Sequence, residues 1–136
     1  MYKKILVPVD INHLDKANAM LETARKLGGD DAKIILAYVV EAIPTYIAVQ
    51  IQSDYVNSAK KEAHDALSQL AQNSGGATEI EIRSGHAAQG ILAIAGEKRA
   101  DTIILASHRP GIEDYFLGST AARVVRHANC TVVVIR

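Results

Sequence analysis

The sequence predicts an α/β protein with a doubly wound, five-stranded parallel sheet of strand order 3-2-1-4-5 and helices on both faces. Continuous apolar runs rich in β-branched residues are typical of strands that are covered on both faces. Segments of helical periodicity separate these runs along the 136-residue chain, in the order β-α-β-α-β-α-β-α-β. This alternation indicates right-handed βαβ crossovers within one domain, which we expect to span residues 1–136.

Five segments are predicted to be strands. Four are continuously apolar, whereas the third alternates Ile80 and Ile82 with charged residues. Such alternation predicts an edge strand with one wetter face. The predicted strands are Ile5 to Val9, Ile34 to Val40, Thr78 to Arg83, Thr102 to Ala106 and Thr131 to Ile135.

Four amphipathic segments are predicted to be helices. Asn12 is the predicted N-cap of the first, and Gly28-Gly29 and Gly75-Gly76 are predicted to end the first and second. The segment from Glu41 to Asp54 is apolar without a clean period, which leaves open a lid, a partner-contact segment or an extended start of the second helix. The apolar stripes are Leu14, Ala17, Leu21 and Ala24; Val56, Ala59, Ala63, Ala66, Leu67 and Leu70; Ala88, Ile91, Leu92 and Ala95; and Leu117, Ala121, Val124, Val125 and Ala128.

The composition disfavours several classes of protein. Lys plus Arg and Asp plus Glu each number 15, so no net charge attracts nucleic acid or an anionic membrane. Aromatic residues make up 4% of the chain, too few for a base-stacking platform. No signal peptide or membrane-spanning apolar run is visible. Together with one cysteine, Cys130, interpreted as a buried structural thiol, these features predict a cytoplasmic protein.

Candidate ligand-binding residues follow the predicted strands. In an open α/β sheet, ligands bind beyond the carboxyl ends of the strands, where the strand order reverses. The first and fourth strands are neighbours there, so Asp10 and the turn at Ala106 are expected to face one crevice. Asp10 could accept hydrogen bonds from ribose hydroxyls, or it could cap the following helix. Gly118 to Thr120 could present main-chain N–H groups to phosphates, or could be a helix cap alone. An acceptor for ribose hydroxyls and donors for phosphates at one crevice favour a nucleotide as the ligand.

No catalytic or metal-binding pattern is predicted. His108, beside Arg109, could contact phosphate. The other four histidines have no partner at metal-ligand spacing. The constellation of a fast phosphoryl-transfer enzyme is absent from the sequence. A regulatory binding module and a slow ATPase or phosphotransferase are therefore the two interpretations. The remaining histidines are His13, His64, His86 and His127.

Several motifs together resemble the universal stress protein family over essentially the whole chain. The resemblance implies a stress-response regulatory protein of the small, single-domain, ATP-binding type, with an adenine nucleotide alpha hydrolase-like fold. The implied ligand is ATP, alone or with Mg²⁺ or Mn²⁺. The residues that carry the resemblance are Lys4 to Asp10, Ala37 to Val40, Gly85, Asp101 to His108, Gly118 to Ala121 and Val124 to Ala128.

The resemblance also implies which residues bind the nucleotide. The residues after the first strand would surround adenine and ribose, and the main chain of Val39 would contact the adenine edge. The turn after the fourth strand and the segment from Gly118 to Thr120 would hold the phosphates. Ala106 and Arg109 stand where the ATP-binding branch has glycines, and the spacer Pro110 to Leu117 is one residue shorter than in that branch. Arg109 could supply positive charge to the phosphates. The implied set is Pro8, Val9, Asp10, Val39, Leu105, Ala106, Arg109, Gly118, Ser119 and Thr120.

The last predicted strand carries an implication for assembly. Thr131 to Ile135 has no internal charge or proline to protect an exposed edge. The resemblance implies a homodimer through this strand, and Glu41 to Asp54 could extend the dimer to a tetramer. A family member that acts as a nucleotide-independent dimeric interaction module is the alternative to a nucleotide-binding protein.

Overall fold

The computed structural model describes residues 2–41, 46, 49–74, 78–107 and 117–136. Its strands form one parallel sheet of order β3-β2-β1-β4-β5, which confirms the predicted fold class and strand order. The strands are β1 (Lys4–Pro8), β2 (Lys33–Glu41), β3 (Thr78–Gly85), β4 (Thr102–Ala106) and β5 (Thr131–Ile135). The helices are α1 (Ala17–Gly28), α2 (Val49–Ser74), α3 (Ala87–Lys98) and α4 (Ser119–His127).

Each face of the sheet has its own hydrophobic core. Alternate side chains of β1 point to opposite faces, so Ile5 and Val7 pack with α1 and α2, whereas Leu6 packs with α3 and α4. All three side chains are fully buried. Burying both faces explains why the central strands are continuously apolar, and it confirms the predicted double winding.

The strands β1 and β4 separate before either one ends. Their pairing stops at Leu6 and Ile103, although β4 continues beside β5 as far as Ala106. The alternation of the backbone places the nitrogen of Pro8 on the side facing β4, where proline has no N–H to donate. On the other side, β1 stays with β2, because the Val9 amide still donates to the Ala37 carbonyl at 2.8 Å. A crevice therefore opens between β1 and β4.

The chain between β1 and α1 differs from the prediction. Asn12 does not cap α1, because a short 3₁₀ turn (Leu14–Lys16) intervenes and Lys16 occupies the N-cap position. Leu14 belongs to that turn and is exposed rather than buried. The predicted end of α1 is confirmed, since Gly29 follows the helix with a φ of 75° that glycine adopts without strain.

The second helix begins earlier than its apolar stripe. Because α2 starts at Val49, the extended-helix interpretation is confirmed for Val49 to Asp54. Residues 42–45 and 47–48, and the predicted stop at Gly75-Gly76, lie outside the described residues. Among the described helices, none is long and apolar enough to cross a bilayer.

The two edge strands are wetter than the centre of the sheet. In β5, the residues from Val132 to Ile135 are only half-buried, so the expectation that this strand is covered on both faces was wrong. In β3, Glu79 pairs with Lys98 and, at 2.8 Å, with Lys33. These hydrogen bonds lower the pKa of Glu79 to about 2. The predicted edge position of β3 is confirmed.

Cys130, just before β5, is half-buried rather than fully buried. Burial raises the pKa of its thiol, and the negative charge of Asp101 raises it further. A raised pKa keeps the thiol protonated at neutral pH, and the thiolate is the reactive form. The prediction that this thiol is buried was therefore wrong in degree, and its structural role stays a prediction.

Candidate functional site

A cleft of about 330 Å³ lies at the carboxyl ends of the strands, where β1 and β4 separate. We call it the β1–β4 cleft. Its position is the one at which α/β sheets of this kind bind ligands. The tenth predicted site residue, Arg109, lies outside the described residues. The other nine line the cleft: Pro8, Val9, Asp10, Val39, Leu105, Ala106, Gly118, Ser119 and Thr120.

One wall of the cleft exposes the main chain of Val39. Backbone groups alternate along β2, so Val39 directs its N–H and C=O toward β1, like Ala37. At this level β1 has ended, and no described residue forms a main-chain hydrogen bond with Val39 on that side. The Val39 side chain points to the face of the sheet that α3 covers. It packs so closely against α3 that a Cβ on Gly90 would lie 2.7 Å from it. A donor and an acceptor are thus held side by side.

Asp10 continues β1 into the floor of the cleft. One of its carboxylate oxygens accepts the Asn12 amide at 3.0 Å, and its carbonyl accepts the His13 amide at 2.9 Å. These bonds form a tight turn that fixes the side chain beside the cleft. The capping alternative is not supported, since α1 begins only at Ala17.

The opposite wall is the amino terminus of α4. The first intrahelical hydrogen bond runs from the Ala122 amide to the Gly118 carbonyl at 2.9 Å, so the amides of Ser119 to Ala121 precede it. Gly118 occupies the N-cap position, and no side chain among the described residues caps the helix. Amides at the start of a helix, together with the helix dipole, are the groups with which helix amino termini bind anions. The predicted start of the helix at Gly118 to Thr120 is confirmed.

Several lining residues were not predicted. Lys16 reaches the cleft from the turn before α1 and donates to the Ser107 carbonyl at 3.0 Å. Asp15 and Glu41 add carboxylates to the lining. Tyr38 adds a phenol, whose pKa is raised by burial and by the negative charge of Asp10, so it stays neutral and can donate.

The described residues offer no cluster of three metal-binding side chains. A divalent ion that accompanied a nucleotide would have to take most of its ligands from phosphate oxygens and water, as Mg²⁺ commonly does. The described residues themselves offer a ligand carboxylates, a phenol, hydroxyls, main-chain groups and the ammonium of Lys16.

Known proteins share both the sequence pattern and the fold. Universal stress protein G of Shigella flexneri is 28% identical over 142 residues, with 100% of each chain covered. The structure of the universal stress protein UspA from Lactobacillus plantarum has a TM-score of 0.82 at 29% identity, covering 99% of this chain and 98% of that one. A universal stress protein family protein from Arabidopsis thaliana with AMP bound has a TM-score of 0.67 at 21% identity, covering 98% and 90%.

The Arabidopsis likeness shows the fold alone, whereas the family assignment rests on the full-length match. The profile of the universal stress protein family matches residues 1–136 of this chain. The match agrees with the resemblance that the sequence motifs along β1 and β4 carry. The chain belongs to the universal stress protein family.

Proposed function

We propose that this chain is a regulatory protein that binds ATP in the β1–β4 cleft and acts in stress responses in the cytoplasm. The observation that carries the proposal is the convergence of three unlike groups on one cleft. They are the main chain of Val39, the carboxylate of Asp10 and the uncapped amino terminus of α4. Each matches a different part of an adenine nucleotide.

The main chain of Val39 supports recognition of adenine. The exocyclic N6 of adenine is a donor and the neighbouring ring nitrogen is an acceptor, whereas guanine presents an acceptor at O6 and a ring N–H. A strand that offers one C=O and one N–H can therefore pair with adenine through two hydrogen bonds. Guanine would put acceptor against acceptor and donor against donor, which leaves buried polar groups unpaired.

Asp10 supports recognition of the ribose. A carboxylate has about four acceptor positions, so it can accept several donors at once, of which the Asn12 amide is one. The turn between Asp10 and His13 holds the carboxylate in place, so little side-chain entropy is lost when a ligand binds. The two ribose hydroxyls are donors that suit such an acceptor.

The start of α4 supports binding of the phosphates. Gly118 has no side chain to cover the amides of Ser119 to Ala121, so an anion could approach them directly. A serine or aspartate at the N-cap would satisfy these amides internally. The open cap therefore favours a phosphate ligand over helix stability.

We predict that ATP binds more tightly than GTP by about tenfold or more, because guanine leaves polar groups unpaired at Val39. Titration calorimetry of both nucleotides on the purified protein measures the ratio. Equal affinities would refute recognition of the base by Val39. Absence of saturation with ATP at millimolar concentration would refute the proposed function.

A substitution at the helix cap separates phosphate binding from folding. Gly118 has a φ of −60° that any residue adopts, and a Cβ there would have no described atom within 4 Å. We expect Gly118→Asp to fold with unchanged or slightly higher thermal stability, because aspartate caps helices well. We expect it to weaken ATP by at least about tenfold and adenosine by less than about threefold, since the carboxylate occupies and repels the phosphate position.

Gly118→Val serves as the uncharged counterpart, because it blocks the same approach by bulk alone. Thermal melts and calorimetry with both ligands complete the comparison. If either variant lost affinity for adenosine and ATP to the same extent, the corner would be structural rather than a phosphate site.

We further propose that β5 pairs with a two-fold copy of itself to form a homodimer. Strand β5 is at the sheet edge, and its Val132 and Val134 direct their N–H and C=O groups away from β4. Closed two-fold pairing satisfies such an edge and is the commonest form of homo-oligomer. We also propose that the segment from Glu41 to Asp54 joins two dimers into a tetramer, because the side chains of Val49 and Ile51 within it are exposed.

Two prolines test the dimer. Val134 directs its amide outward, so Val134→Pro should give a folded monomer with the β4 pairing intact. Val133 directs its amide toward β4, so Val133→Pro should destabilise the fold itself. Light scattering at micromolar concentration measures the mass, and thermal melts measure stability. A wild-type monomer, or a dimeric Val134→Pro, would contradict pairing through β5.

A further inference from the structure

Lys16 is placed in the β1–β4 cleft by a contact between distant parts of the chain. It is the last residue of the 3₁₀ turn, it is half-buried, and its Nζ lies 3.0 Å from the Ser107 carbonyl oxygen. Ser107 is held from the other side, because its amide donates to the Ile135 carbonyl at 2.8 Å. The acceptor of Lys16 is thus fixed by the end of β5, and the ammonium is held beside the end of β4.

The hydrogen bond to Ser107 leaves most of the ammonium's capacity available. A lysine ammonium has three donors, and the Ser107 carbonyl takes one. Lys16 also stands at the N-cap position of α1, where a positive charge opposes the dipole of that helix. The position therefore suits contact with an anion better than it suits the stability of α1.

The charges that line the cleft make Lys16 distinctive. Three carboxylates line the cleft, and Lys16 is the only lysine or arginine among its described lining residues. A phosphate chain would be repelled by those carboxylates, and it would be attracted by Lys16 and the start of α4. An uncharged nucleoside would experience neither effect strongly. The three carboxylates belong to Asp10, Asp15 and Glu41.

The strand order places Lys16 at the phosphate end of the cleft. Val39 lies on β2 and Ser107 follows β4, with β1 between them. Two strand spacings separate the two positions, which is about 10 Å. A base at Val39 and a ribose at Asp10 would therefore direct the phosphates toward the end of β4, where Lys16 and the start of α4 also line the cleft.

We propose that Lys16 binds the phosphate chain and makes the cleft selective for nucleoside di- and triphosphates over the nucleoside. This inference rests on the proposed function. The ammonium keeps its hydrogen bond to the Ser107 carbonyl and donates its other protons to phosphate oxygens. Lys16 thereby joins the turn before α1 to the ligand and to the end of β4.

The test measures binding of adenosine, AMP, ADP and ATP to wild-type protein and to three variants by titration calorimetry at one salt concentration. Lys16→Met removes the ammonium and keeps the apolar stem. Lys16→Gln removes the charge and keeps an N–H donor for the Ser107 carbonyl on a side chain one methylene shorter. Lys26→Met is the matched control, because it removes the same charge from an exposed position on α1, where Lys26 pairs with Glu22.

We expect wild-type protein to bind ATP and ADP more tightly than adenosine. Lys16→Met and Lys16→Gln should weaken ATP by about ten- to a hundredfold, the usual range for a hydrogen bond to a charged group. The same variants should change adenosine affinity by less than about threefold. Lys26→Met should match the wild type for every ligand.

Three results would overturn the inference. Wild-type affinity for ATP in both Lys16 variants would remove Lys16 from the phosphate site, and equal losses for ATP and adenosine would make the contact with Ser107 a structural tie. In both cases the wild-type protein still binds the nucleotide, so the proposed function stands. A wild-type protein that bound none of the four compounds would refute the proposed function as well. If Lys16→Met failed to fold, Lys16→Gln would decide, because it retains the hydrogen bond.

Discussion

The separation of β1 from β4 is the constraint on which the rest of the structure depends. At the amino ends of these strands, the Asp101 carboxylate accepts the amides of Lys3 and Lys4 at 2.7 and 3.2 Å and holds β1 and β4 together. At the other end, Pro8 has no N–H with which to continue the pairing. The strands are thus joined at one end and parted at the other. The cleft exists because of this asymmetry.

The helices on either side convert that crevice into a site with two different walls. On one face, Gly90 lets α3 approach β2 closely, which presses on the Val39 side chain and holds its main chain in position. Beyond β4, α4 begins at Ser119, and no side chain of the described residues caps it. The uncapped amides cost helix stability, and natural proteins accept such local costs mainly at functional sites. This is the physical reason for interpreting Gly118 as part of a site.

Sequence patterns predicted the elements well because their causes are local. Burial of both sheet faces makes β1, β2 and β4 continuously apolar, and Gly29 ends α1 through its own backbone freedom. The same reasoning failed where the tertiary contact decided the outcome. Asn12 has the right chemistry for a helix cap, yet the Asp10 turn and the 3₁₀ segment delay the helix to Ala17.

The candidate site was predictable in outline and not in its charges. Asp10 and Gly118 stand at strand and helix ends that can be located along the sequence. Lys16 could not be found in this way, because its position in the cleft depends on Ser107, 91 residues away. The half-buried state of β5 was missed for a similar reason, since its apolar sequence does not show whether a further strand or a partner covers it.

The most direct test of the account is amide NMR of the isotope-labelled protein during titration with ATP. The central claim is that an adenine nucleotide lies between Val39 and the start of α4. We expect the amides of Val39, Ser119 and Thr120 to shift together and saturate at the same ATP concentration, while amides at the amino end of the sheet, such as that of Lys33, stay unchanged. Saturable shifts confined to the amino end, with these three amides unmoved, would contradict the account.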